Sequence, residues 1–239
     1  MNSTDDQDLR RLRNGGHMFV RLVNKEPWMC QELLPNRILS ASEHLCPHLP
    51  ASWAFISSDD PDALRRSEAG SFGIAADRLT EVVLWLSDRL EASAMIEWPN
   101  VFLSLDLARQ FAACFLSLDE EWNLIGLSID PQYAEEIDHQ LGSNRAGYWA
   151  AIDHMLGIPP GGKILGFEVL GYAGAGTAHS WICNGIEQTF YEATGIRPNP
   201  AGLLATSGES ALCLALIASN PEWAEPVPWF PWMLTRYPI

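Results

Sequence analysis

Apolar residues along this chain follow two periods, and stretches of each alternate. Between residues 77 and 90 they fall at Leu79, Val82, Val83, Leu86 and Leu90, the spacing of one buried stripe on an α-helix. Val82-Val83-Leu84-Trp85 inside that stretch also suits a buried strand, so both readings stay open. A second helix is predicted from Ser104 to Leu116, because Ser104 is a good N-cap and Asp106 lies where the helix dipole favours a negative charge. Residues 122–129 read as a strand, and Asp130-Pro131 opens a further helix by the same capping logic. Residues 148–156 are predicted helical, before Gly157-Ile158-Pro159-Pro160-Gly161-Gly162 breaks the pattern. Residues 164–172 form the clearest strand. A glycine-rich turn and a helix beginning near Ser180 follow, then a helix over 209–219 capped by Ser207.

Towards the N-terminus, residues 17–23 predict a short strand closed by Pro27, and residues 53–57 another. Asp60 and Pro61 suit the start of a helix, Trp98-Pro99-Asn100 a turn, and residues 101–103 a short strand. Residues 1–16, ending in Gly15-Gly16, are expected to be a flexible N-terminus. Beyond Pro221 the chain holds Pro226, Pro228, Pro231 and Pro238 among Trp223, Trp229, Phe230 and Trp232. So many prolines argue against regular structure, while the aromatics argue for packing across the body. The expectation is an α+β fold, a mixed sheet flanked by helices. Residues 17–239 would form a single domain, with a sub-lobe boundary near 157–162.

Composition changes the picture through charge. Fifteen basic against thirty acidic residues give a formal net charge of −15 over 239 residues. Such a surface repels nucleic acid and anionic membranes and attracts a basic partner; solubility alone is the plainer explanation. The apolar fraction of 47% suits a packed core, and no apolar run approaches the roughly 18–20 residues that span a bilayer. Without a secretory pattern at the start, the expected location is the cytoplasm. Five cysteines, Cys30, Cys46, Cys114, Cys183 and Cys213, are odd in number and far apart, which favours buried free thiols over disulfides or a zinc site.

Candidate chemistry concentrates after residue 170. In Gly171-Tyr172-Ala173-Gly174-Ala175-Gly176-Thr177-Ala178-His179-Ser180, glycines between a strand and a helix would let backbone amides meet a phosphate. The spacing fits neither a Walker loop nor a dinucleotide fingerprint, and a tight turn with positive φ is the preferred reading of the glycines. His179 and Cys183 would share a face if helical, as base and nucleophile, though no third group orients the histidine. Glu168, His179, Trp181, Asn184 and Glu187 are read as a structural polar network tying strand to helix. His44 and His48 flank Cys46-Pro47, a poor geometry for a metal. No catalytic residue, metal ligand or cofactor is assigned. The acidic clusters are Asp59, Asp60 and Asp62; Asp119, Glu120 and Glu121; and Glu135, Glu136 and Asp138. Each is a solvated face by default. The last two are the candidate partner-binding residues, with exposed members of the ten tryptophans as anchors.

The stretches 164–172, His179 to Glu187 and Gly195 to Leu204, with the upstream pattern from Pro99-Asn100-Val101-Phe102 to Leu124-Ile125-Gly126-Leu127, resemble an uncharacterised bacterial family. Over roughly residues 98–204 the chain is similar to cytosolic immunity proteins of polymorphic or contact-delivered toxin systems. The glycine-rich 173–178 departs from that pattern. The resemblance implies an immunity protein that binds and occludes a cognate toxin, a basic effector acting in the cytoplasm, and it carries over no catalytic residue. A small enzyme using loop 171–180 with His179 and Cys183, or an adaptor or chaperone-like binder of another basic protein, is the alternative.

Overall fold

The computed structural model describes residues 11–42, 44–48, 69, 73–91, 95–96, 101–117, 121–141, 157–173 and 177–239. The expected strand at 53–57, the cap at Asp60-Pro61, the turn at 98–100 and the helix at 148–156 lie outside them, as do Asp59, Asp62, Asp119, Glu120, Gly174 and Gly176. The class is α+β. The strands are β1 (Arg13–Arg21), β2 (Val23–Asn24), β3 (Arg37–Ile38), β4 (Met95–Ile96), β5 (Val101–Phe102), β6 (Trp122–Ile129), β7 (Lys163–Ala173), β8 (Thr177–Ser180) and β9 (Trp229–Tyr237). Seven form one sheet in the order β4-β5-β1-β6-β9-β7-β8, and β2 and β3 form a separate ribbon. A mixed sheet was expected; every pairing between these strands is antiparallel.

Alternation along the strands builds a two-sided core. Phe19 on β1 and Leu124 on β6 are register partners, and so are Met18 and Ile125 one residue along. Phe19 and Leu124 join Phe102, Tyr237 and the helices α1 (Leu79–Glu91) and α2 (Leu105–Phe115) in one cluster. Met18 and Ile125 belong to a larger cluster with Trp181, Phe190, Trp232 and Leu234. In α1, Leu79, Val82 and Leu86 are buried and Leu84 is exposed, which decides the region for helix over strand. In α2, Ser104 Oγ accepts from the Leu107 N–H at 3.4 Å, and Leu105, Ala108, Phe111, Ala112 and Phe115 are buried. Three more helices are α3 (Pro131–Leu141), α4 (Ile186–Thr194) and α5 (Ser207–Ser219). The cap of α5 is Thr206 in place of Ser207, accepting from the Glu209 N–H at 3.2 Å.

Two departures from the sequence reading, at the N-terminal strand and in the proline-rich tail, have physical causes. The N-terminal strand starts at Arg13, so Gly15 and Gly16 lie inside the sheet at a register shift opposite β6. Gly16 has φ 88°, and a Cβ there would stand 3.0 Å from Val101 Cβ. Residues 157–162 are hydrogen-bonded to β9 and to the residue before β1: Gly157 N–H donates to Leu12 O, and Tyr237 hydroxyl donates to Pro159 O at 3.2 Å. The proline-rich tail is a regular strand in the middle of the sheet. Pro231 opposes Val169 on β7 and lies beyond Ser128↔Met233, where the recorded β6–β9 pairs stop. One side of the strand is unladdered there, and a residue without an N–H fits that position.

Among the described residues, no helix is long and apolar enough to cross a membrane.

Candidate functional site

The predicted polar network resolves into three separate bonding arrangements. Glu168, on β7 and fully buried, accepts from the Ser40 hydroxyl and from the Ala41 N–H at 2.8 Å. Burial pushes its carboxyl above the usual range, opposed by hydrogen bonds from Ser40, Ala41 and Ser180. Its partner is thus the 40–42 turn, on the far side of the chain in sequence. His179 and Asn184 meet through a residue the sequence reading did not include: Glu225 Oε1 lies 3.3 Å from His179 Nδ1, and Glu225 Oε2 accepts from Asn184 Nδ2 at 2.6 Å. His44 stacks on His179 with ring centroids 4.3 Å apart. Glu187, on α4, accepts from the Cys30 N–H at 3.1 Å, and burial raises its pKa. Trp181 contributes packing, edge-on to Phe190 at 5.8 Å.

The expected helix at Ser180 is absent. Thr177–Ser180 is strand β8, and Trp181–Asn184 is a short 3₁₀ turn capped by Ser180, with Gly185 at φ 67° leading into α4. His179 and Cys183 therefore do not share a helix face. Cys183 Sγ accepts from Ser180 N–H at 3.4 Å and lies 3.8 Å from Ser42 Oγ. Burial is the largest influence on its thiol and raises the pKa, and the charges of Glu168 and Glu225 push the same way. This environment favours the thiol over the nucleophilic thiolate. The glycine at 171 has a packing role: it pairs with His179, and a Cβ there would stand 2.7 Å from the Trp229 ring. Among the described residues, no group of His, Cys, Asp and Glu is placed to hold a metal ion.

The acidic candidates scatter. Glu121 is exposed and ion-paired to Arg37, which lowers its pKa and raises that of the arginine. Glu135 and Glu136 are exposed on α3, and Asp138 lies on the same helix. The cysteines divide as well: Cys46 and Cys213 are buried, Cys30 and Cys183 half-buried, and Cys114 exposed, all unpaired.

Among the described tryptophans Trp28 is the most exposed; Trp85 and Trp223 are half-buried, and Trp53, Trp98 and Trp149 lie outside the described residues. Trp122, Trp181, Trp229 and Trp232 are buried, whereas Trp28 is 56% exposed. It projects from a loop between β2 and β3 that is tied down from several directions. Lys25 Nζ donates to Gln31 O at 2.7 Å and to Leu34 O at 2.9 Å. Gln31 Nε2 donates to Glu26 O at 2.7 Å and to Met29 O at 2.8 Å. Buried Met29 anchors the loop in the core directly after Trp28, and Cys30 N–H reaches Glu187 on α4. In the same loop Glu26, Pro27, Gln31 and Glu32 are exposed, and the exposed Arg197 donates to Glu32 O at 3.4 Å. The sequence signal for this site is present in hindsight as Glu26-Pro27-Trp28, a tryptophan in a proline turn outside every periodic stretch.

No protein-family model matches the chain, and neither a curated protein nor a solved structure is significantly similar to it. The functional reading therefore rests on the sequence and the geometry.

Proposed function

We propose that this protein acts by binding a basic partner protein, as an immunity protein occludes its toxin, with Trp28 as the central contact. The observation that carries the reading is a solvent-facing tryptophan on a loop already fixed by its own hydrogen bonds. Tryptophan is enriched among residues that dominate interface energy. A pre-ordered loop also avoids the entropy that a flexible one loses on binding. Glu26 and Glu32 in the same loop, on a chain of net charge −15, suit a positively charged rim on the partner and speed the encounter. The environment of Cys183 weighs against the enzyme reading, since burial favours its neutral thiol.

The test is a calorimetric titration against the product of the neighbouring gene, at low and high salt, with a survival assay for cells carrying that gene. Tight binding that weakens with salt, together with protection from killing, is expected. Absence of binding, or equal survival without this protein, would overturn the immunity reading. Binding to a non-toxic basic protein would favour an adaptor.

A further inference from the structure

On a chain with twice as many acids as bases, three cations converge at one end of the sheet. Arg37 on β3, Lys163 at the start of β7 and Arg236 near the end of β9 line an open cavity of about 320 Å³. No carboxylate is among the described residues that line it. Lys163 and Arg236 are direct register partners across the β7–β9 ladder. Like charges placed directly opposite on one sheet face repel and destabilise the pair. Asn123 adds its amide to the same wall, with Arg236 Nη1 3.5 Å from Asn123 Oδ1. Arg37 is held by Glu121, an exposed ion pair that an incoming anion can exchange with little loss. The floor is rigid: Asn199 donates to Leu165 O at 2.7 Å and accepts from the Ala201 N–H at 2.8 Å. The remaining wall is apolar, with Leu39 and the 38%-exposed Ile164.

We infer that this cavity binds a small oxyanion-bearing molecule, a carboxylate or phosphate ester with a short apolar body, between Lys163, Arg236 and Arg37. The guanidinium forks match an oxyanion in geometry. A bound negative charge would relieve the Lys163–Arg236 repulsion across the ladder. The cavity is at the small end of the range for ligand sites, about 300–1,000 Å³. This inference is independent of the partner-binding reading, because it is read without any partner protein.

The test uses the full chain at low ionic strength, with inorganic phosphate, acetate and hexanoate as probes and chloride of matched ionic strength as control. Phosphate and hexanoate are expected to raise the melting temperature above the chloride control. Hexanoate should bind more tightly than acetate, because its chain meets Ile164 and Leu39. Lys163→Gln and Arg236→Gln should each weaken saturation at least tenfold. In the absence of any probe, Lys163→Gln should melt slightly higher than the unsubstituted protein at low salt, and that difference should vanish at high salt. Glu121→Gln, which frees Arg37, should tighten binding. Lys163 and Arg236 are exposed, so their variants are expected to fold. The inference is overturned if no probe exceeds chloride, or if binding is undiminished in both cation variants. Equal affinity for acetate and hexanoate would remove the apolar body from it.

Discussion

Two regions of this protein are written with the same dipeptide and put it to opposite use. Pro228-Trp229 opens β9 and Pro231-Trp232 lies within it, and there Trp229 is 7% exposed and Trp232 is fully buried, on a strand between β6 and β7. Pro27-Trp28 lies in the loop between β2 and β3, where the indole faces solvent. In β9 the backbone is committed to neighbouring strands, and the side chains fill the core. In the 25–34 loop the backbone is equally committed, through Lys25, Gln31 and Glu187, yet the tryptophan stays 56% exposed. Order without full burial is the feature on which the proposed binding role of Trp28 rests. Keeping a large apolar side chain in water costs on the order of 1.5–3 kcal/mol relative to burying it.

That contrast can be broken from either end. The largest expected effect is on the buried side. Trp232→Ala should lower stability by about 3–5 kcal/mol, read by denaturant unfolding, because it empties the centre of the larger core cluster. A smaller loss, about 2–4 kcal/mol, is expected for Glu168→Ala, which strands the Ser40 hydroxyl and the Ala41 N–H in the core. Glu168→Gln keeps an acceptor and should cost less.

Acid should weaken the fold next. Burial holds the pKa of both His17 and His48 down to about 4, from 6.5. The unfolded chain therefore takes up protons first as the pH falls from 6.5 towards 4, and stability is lost across that window. The raised carboxyls of Glu168 and Glu187 act in the opposite sense: they favour the fold when protonated and oppose it as the pH rises through their folded pKa values. Unfolding midpoints followed from pH 7 to pH 4 should fall, and the fall should be shallower in His48→Gln. An unchanged slope in that variant would remove the histidine from the account. The smallest effect is expected at Thr206, where Thr206→Ala removes the cap of α5 and should cost about 1 kcal/mol.

How much of this was legible follows from where the information lies. Strand β6 matches its predicted bounds, and α2 begins at the predicted Ser104 cap, since local patterning and capping encode both. β9 was misread because proline carries a strong local signal, whereas its tolerance at Pro231 depends on where a distant strand stops pairing. The helix expected at Ser180 failed for a related reason. β8 exists through its pairing with β7, and Ser180 starts a 3₁₀ turn in place of an α-helix. The sequence reading grouped Glu168, His179 and Asn184 in one network, which the structure divides between separate partners. It missed Ser40, His44 and Glu225, which come from segments too far away for spacing to show. The acidic clusters drew attention by charge, whereas the exposure of Trp28 is recognisable only once Trp122, Trp181, Trp229 and Trp232 are seen to be buried.

The central claim is that Trp28 is ordered for a partner and not for the fold. The most direct test is a calorimetric titration of Trp28→Ala against the partner protein that the titration under Proposed function identifies, beside a denaturant melt of the same variant. The account predicts a stability change within about 0.5 kcal/mol and an affinity loss of at least about 2 kcal/mol, the hot-spot threshold. Unchanged affinity, or a loss of affinity that merely follows a loss of stability, would contradict it.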